Sequence, residues 1–61
     1  MTTRTQQIVM LLEATGPLTM ETLLIAMQWP RSITSGAVRR LVAMGIVRHL
    51  NIDGRRHYAM V

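Results

Sequence analysis

Sixty-one residues, 49% of them apolar, make one domain that buries only about 60% of its unfolded surface, so a second core is excluded. The absence of cysteine excludes disulfides, thiolate metal sites and cysteine nucleophiles, and fits a reducing compartment. All seven cations are arginines, and they are unevenly spread: residues 1–30 carry a net −1 (Arg4 against Glu13 and Glu21) and residues 31–61 a net +5 (six arginines against Asp53), which points to a polyanionic partner for the second half.

The chain opens with Thr3 followed three residues later by Gln6, the spacing of a capping box. Ile8, Leu11, Leu12 and Thr15 then recur at helical intervals before Gly16 and Pro17, predicting a first helix over about Arg4 to Ala14. Leu18 and Thr19 suit a short extended piece. Thr19 as cap, Glu21 in the first turn and Leu23, Leu24 and Met27 on one face predict a second helix over about Met20 to Gln28. Trp29-Pro30 ends it, because the residue before proline is pushed out of helical geometry.

A third helix follows, capped by Ser32 or Thr34 and closed by Gly45. Thr34, Val38, Leu41 and Val42 share one face; Ser35, Gly36, Arg39 and Arg40 fall largely on the other, which is polar, basic and notched. Glycine inside an exposed helix costs about 1 kcal/mol against alanine, so Gly36 needs a reason. Packing within the chain and close approach of DNA phosphates are equally open.

In the tail, Asp53-Gly54 between β-branched and aromatic runs predicts a two-residue type I′ hairpin turn joining strands Ile46 to Ile52 and Arg55 to Val61. Pairing Ile52 with Arg55 puts Val47, His49, Asn51, Arg56, Tyr58 and Met60 on one face and Ile46, Arg48, Leu50, Arg55, His57 and Ala59 on the other. Val47, Tyr58 and Met60 are expected in the core. The tip carries arginine on both faces.

The fold class expected is thus mainly α with a C-terminal β-hairpin. This order, with "LVAMGIV" leaving the third helix, resembles the winged helix-turn-helix family over nearly the whole chain. Val38, Leu41, Gly45, Ile46 and Val47 match the exit pattern of its bacterial and phage-type regulators, Ser32 a residue near the start of the recognition helix, and Arg55 and Arg56 the basic wing. Two positions depart from the family: Leu24 stands where a small residue is common, and Gln28 where the turn often has glycine.

The resemblance implies a repressor-like transcriptional regulator that binds double-stranded DNA in a sequence-specific way. Its third helix, about residues 32–44, would lie in the major groove. Arg31, Ser32, Ser35, Gly36, Arg39 and Arg40 would face DNA, with Arg31, Ser32, Ser35 and Arg39 nearest base edges or flanking phosphates. Arg55 and Arg56 would meet a neighbouring minor groove or phosphates, and Arg4, Arg40 and Arg48 suit backbone or solvent. Each site also has a plain structural reading: serines as caps, Arg39 and Arg40 as a solvated face, Arg55 and Arg56 as guards of a strand edge. Useful specificity asks for a homodimer or cooperative assembly on DNA, through helix one, Leu50 and Ile52, or contacts made on the duplex.

A second reading is a winged adaptor or antirepressor docking on protein through Leu50, Ile52 and Ile25. Binding at a membrane surface and binding to RNA are weaker, because the arginines lie away from the Leu-rich helices and stacking aromatics are scarce. The longest apolar runs, Ile8 to Leu12 and Leu23 to Met27, are too short to span a bilayer. Glu13, Gly16 and Pro17 interrupt any signal-like segment, so a cytoplasmic protein is expected. No metal, cofactor or small-molecule ligand is expected: His49 and His57 fall on opposite hairpin faces, and only three acids exist. Neither a nucleophile–base set nor a glycine-rich phosphate loop supports an enzyme.

Overall fold

A computed structural model describes residues 2–61. Three helices, α1 (Arg4–Thr15), α2 (Met20–Met27) and α3 (Arg31–Ala43), precede an antiparallel hairpin of β1 (Val47–Ile52) and β2 (Arg55–Met60). None of these helices is long and apolar enough to cross a membrane.

Local chemistry accounts for most of the boundaries. The Thr3 hydroxyl accepts from the Gln6 amide at 3.2 Å while the Gln6 side chain accepts from the Thr3 amide at 2.9 Å, so two donors at the start of α1 are satisfied reciprocally. Thr15, expected on the apolar stripe, is exposed, and its hydroxyl donates to the Leu11 carbonyl at 2.9 Å. Thr19 caps α2 through the Thr22 amide.

At the far end of α2, Gln28 takes the left-handed conformation (φ 57°, ψ 28°) and donates its amide to Leu24. Glycine is the usual residue there because a Cβ crowds the following carbonyl. The chain therefore makes its turn with a residue that resists it.

α3 begins differently from the expectation. Neither Ser32 nor Thr34 is its cap: the cap position is Pro30, with no side-chain hydrogen bond. Pro30 has φ −54°, which its ring imposes, and its carbonyl takes the amides of Ile33 and Thr34 at 3.0 and 3.1 Å. The helix is thus under way before Ser32. Thr34 is buried instead, its hydroxyl donating to the same carbonyl at 3.4 Å.

The exit from α3 explains why "LVAMGIV" is informative. The Ile46 amide reaches back to Leu41 and the Gly45 amide to Val42, both at 3.0 Å, with Gly45 at φ 75°. These two bonds form a Schellman closure, which needs a left-handed residue between them. β1 starts two residues later.

The hairpin has the expected register, Ile52 opposite Arg55 through Val47 opposite Met60. Asp53 (φ 52°) and Gly54 (φ 77°) both have positive φ, as a type I′ turn requires. Leu18 pairs with Tyr58 on the other edge of β2, through hydrogen bonds of 3.0 and 2.7 Å. Ala59 is buried although it lies on the face left out of the expected core. Its one methyl is small enough to be covered where β2 is bracketed by β1 and Leu18.

The core joins Ile8 and Leu12 of α1, Leu23 of α2, Val38 and Leu41 of α3 and Val47 of β1. Tyr58 and Met60, expected to join them, are half-buried and pack against this cluster. Leu23→Ala should lower unfolding free energy by about 2–5 kcal/mol, a large part of the stability of a domain this size. Gln28→Gly should raise it by up to about 1 kcal/mol through relief at the left-handed position. Urea unfolding followed by circular dichroism measures both.

Candidate nucleic-acid interface

α3 divides cleanly by exposure. Thr34, Val38 and Leu41 face the core, whereas Arg31, Ser32, Gly36, Arg39 and Arg40 are exposed and Ser35 is half-buried. At 100° per residue, Ser32, Gly36 and Ala43 point directly away from the core, Arg31, Ser35 and Arg39 lie to one flank, and Arg40 lies to the other.

The wing stands on the Arg39 flank. Ser35 and Arg39 share a cleft of about 340 Å³ with His49, Arg56 and Tyr58, floored by Met20, Val38 and Val42. His49 and Tyr58 are cross-strand partners, and their rings meet edge-on with centroids 5.1 Å apart, a favoured aromatic geometry. Beside this lies a second cleft of about 320 Å³, lined by Thr19, Met20, Glu21, Arg31, Arg55 and Arg56. Arg56 lines both, so the two clefts form one basic surface.

Of the expected residues, the structure brings together Arg31, Ser35, Arg39, Arg55 and Arg56. Ser32 and Gly36 form the open crest of α3 beside them, and Arg40 is exposed without lining either cleft. Arg4 sits over the Trp29 ring at 5.8 Å, within cation–π range, and so belongs to the turn.

His49, Tyr58 and Glu21 were not among the expected site residues. The hairpin register already placed His49, Arg56 and Tyr58 on one face; what it lacked was which face looks at α3. Among the described residues no group of three or more His, Cys, Asp or Glu could hold a metal ion.

The structure bears on one of the two explanations left open for Gly36. A Cβ built at this position would meet nothing within 4 Å. Packing inside the chain therefore gives no reason for a glycine here.

The start of α3 is also unusual. It has no acidic residue in its first turn, and its first residue is Arg31. A cation at a helix N-terminus opposes the macrodipole by about 0.3–1 kcal/mol, and an anion would reverse that penalty. Among the described side-chain hydrogen bonds, those of Thr3, Thr5, Gln6, Gln7, Thr15, Thr19, Thr22, Thr34 and His57, none uses an arginine guanidinium; the one arginine partner is the Arg55 backbone carbonyl, against His57 Nδ1.

Arg31→Glu should therefore stabilise the free protein, raising Tm by a few degrees, on the order of 0.3–1 kcal/mol; differential scanning calorimetry at low salt reads the shift. Comparison of the chain with protein-family models, with curated proteins and with solved structures gives no match.

Proposed function

We propose that this chain is a sequence-specific double-stranded DNA-binding protein of the winged helix-turn-helix type, acting as a transcriptional regulator by occupying an operator. Binding is the whole activity. A bound module blocks or recruits other proteins without chemistry of its own, and a cytoplasmic location fits that role.

The observation that carries this reading is Gly36, an exposed glycine in mid-helix with open space around it, on the same crest as Ser32 and beside Arg39. It costs the free protein helix stability and returns nothing to its packing. A helix seated in the major groove gains from such a notch, because the groove walls come closest where the side chain is missing.

Supporting it, α3 is 13 residues long, about 20 Å of rod, and a groove about 12 Å wide admits a helix. Ser32, Ser35 and Arg39 would then stand near base edges, with Arg39 suited to bidentate contact with guanine. Arg31 and Arg40 flank them toward the phosphates, and Arg55 and Arg56 meet the backbone or minor groove beside the wing. One module of this size buries about 600–1,000 Å² on DNA, so two copies on repeated or palindromic half-sites would supply useful specificity.

The adaptor reading predicts a different salt response. Its apolar residues, Ile25 at 74% and Ile52 at 38% exposure, would give affinity that changes little with salt. Phosphate contacts give log K falling with log salt at about −0.9 per neutralised phosphate.

Selection from a random duplex library should yield a motif whose affinity falls steeply with salt. No enrichment, or a flat salt response, would overturn the assignment. Gly36→Ala should raise stability by up to about 1 kcal/mol yet weaken binding to the selected site. Arg39→Ala should cost about 1–3 kcal/mol and relax preference at particular base pairs. Uniform loss on every sequence would move Arg39 to the phosphates.

A further inference from the structure

We infer that Arg31, Arg55 and Arg56 act as one clamp on a single backbone phosphate, at the junction of α2, α3 and the wing. This rests on the DNA-binding reading and narrows it: the wing would grip a phosphodiester instead of reading the minor groove.

The argument begins with convergence. Arg31 comes from the first residue of α3, and Arg55 and Arg56 from the start of β2, yet all three line one cleft of about 320 Å³ with Thr19, Met20 and Glu21. Three arginines and one glutamate line it. Gathering like charge around a small cleft raises the energy of the free protein, and an anion in the cleft removes that cost.

The backbone adds to the same field. The Thr19 hydroxyl takes the Thr22 amide, and the Thr19 carbonyl takes that of Leu23. Among the described residues no acceptor is seen for the amides of Met20 and Glu21, as is usual for first-turn amides. The start of α2 and the start of α3 thus meet at one cleft, each bringing the positive end of a helix dipole.

Direction separates phosphate from minor groove. An arginine reading the minor groove extends into a slot about 6 Å wide. Here Arg55 and Arg56 leave opposite faces of the hairpin yet both line the cleft shared with α2 and α3, so they flank one cavity at the domain body instead of extending together into a slot. The planar fork of each guanidinium suits paired phosphate oxygens. A phosphate on DNA and a free phosphate present the same oxygens; charge along the rest of α3 favours the DNA backbone as the source.

Two arms test the clamp on the full chain. In the first, inorganic phosphate is titrated against labelled protein by NMR. The Met20, Glu21 and Arg31 amides and the Nε signals of Arg31, Arg55 and Arg56 should shift along one binding curve, with Arg4, Arg40 and Arg48 unmoved. Equal shifts at all seven arginines would overturn the proposal.

In the second arm, neutral methylphosphonates replace phosphates one at a time in the selected duplex. One position should dominate, with about a tenfold loss, and that loss should vanish in the triple variant Arg31→Gln, Arg55→Gln, Arg56→Gln. The triple variant should flatten the log K against log salt slope by about 0.9 if one phosphate is shared, against about 2.7 if each arginine takes its own. The larger change, or a focal loss that persists in the variant, sinks the clamp while leaving DNA binding intact. A saturable phosphate site in a protein that selects no duplex supports the clamp and overturns the DNA reading. Circular dichroism confirms that the variant, altered only at exposed side chains, is folded.

Discussion

Six aliphatic side chains hold this chain together, Ile8 and Leu12 from α1, Leu23 from α2, Val38 and Leu41 from α3 and Val47 from β1, with β2 packed against them through Tyr58 and Met60. With no phenylalanine, and with Trp29 and Tyr58 only half-buried, no large ring lies in the core. Its tightness comes from β- and γ-branched groups meeting at one point. Three helices and a hairpin can converge on so few side chains only if each enters at a set angle. The turns between elements are therefore specified tightly: a capping box, a rigid Pro30, a Schellman closure and a type I′ turn.

The same constraint frees the other surface. Because α3 spends Thr34, Val38 and Leu41 on the core and packs Ala37 and Val42 against it, only its outward face is free of packing duty. All seven arginines are exposed, and the proposed interface draws on those of α3 and the hairpin. A regular helix separates the two roles by rotation about its axis. An inward substitution on α3 tests folding, and one on its crest tests partnership.

Much of this was legible in the residues because it rests on local chemistry. Thr3 with Gln6, Gly45 before Ile46-Val47 and Asp53-Gly54 each encode a hydrogen-bond pattern or a dihedral that few other residues satisfy. The helix-three cap was misread because serine and threonine advertise capping, whereas Pro30 works through a fixed φ and its carbonyl. The burial of Ala59 escapes strand alternation because β2 also packs against α1 and α2, distant in sequence. Likewise, strand alternation grouped His49 with Arg56 and Tyr58, but only the packed structure turns that group toward Ser35 and Arg39. Gly36 is the reverse case: the sequence raised the question, and empty space around the position removes intrachain packing as its reason.

The Leu18–Tyr58 pairing has one more consequence. Two backbone hydrogen bonds tie β2 to the residue just before the Thr19 cap. The wing is thereby anchored at both ends of the domain, through Ile46 to α3 and through Leu18 to α2. A tethered wing of this kind has little orientational entropy left to lose when a partner arrives. Association would resemble the docking of a rigid key, and its rate would be set by diffusion and charge instead of loop ordering.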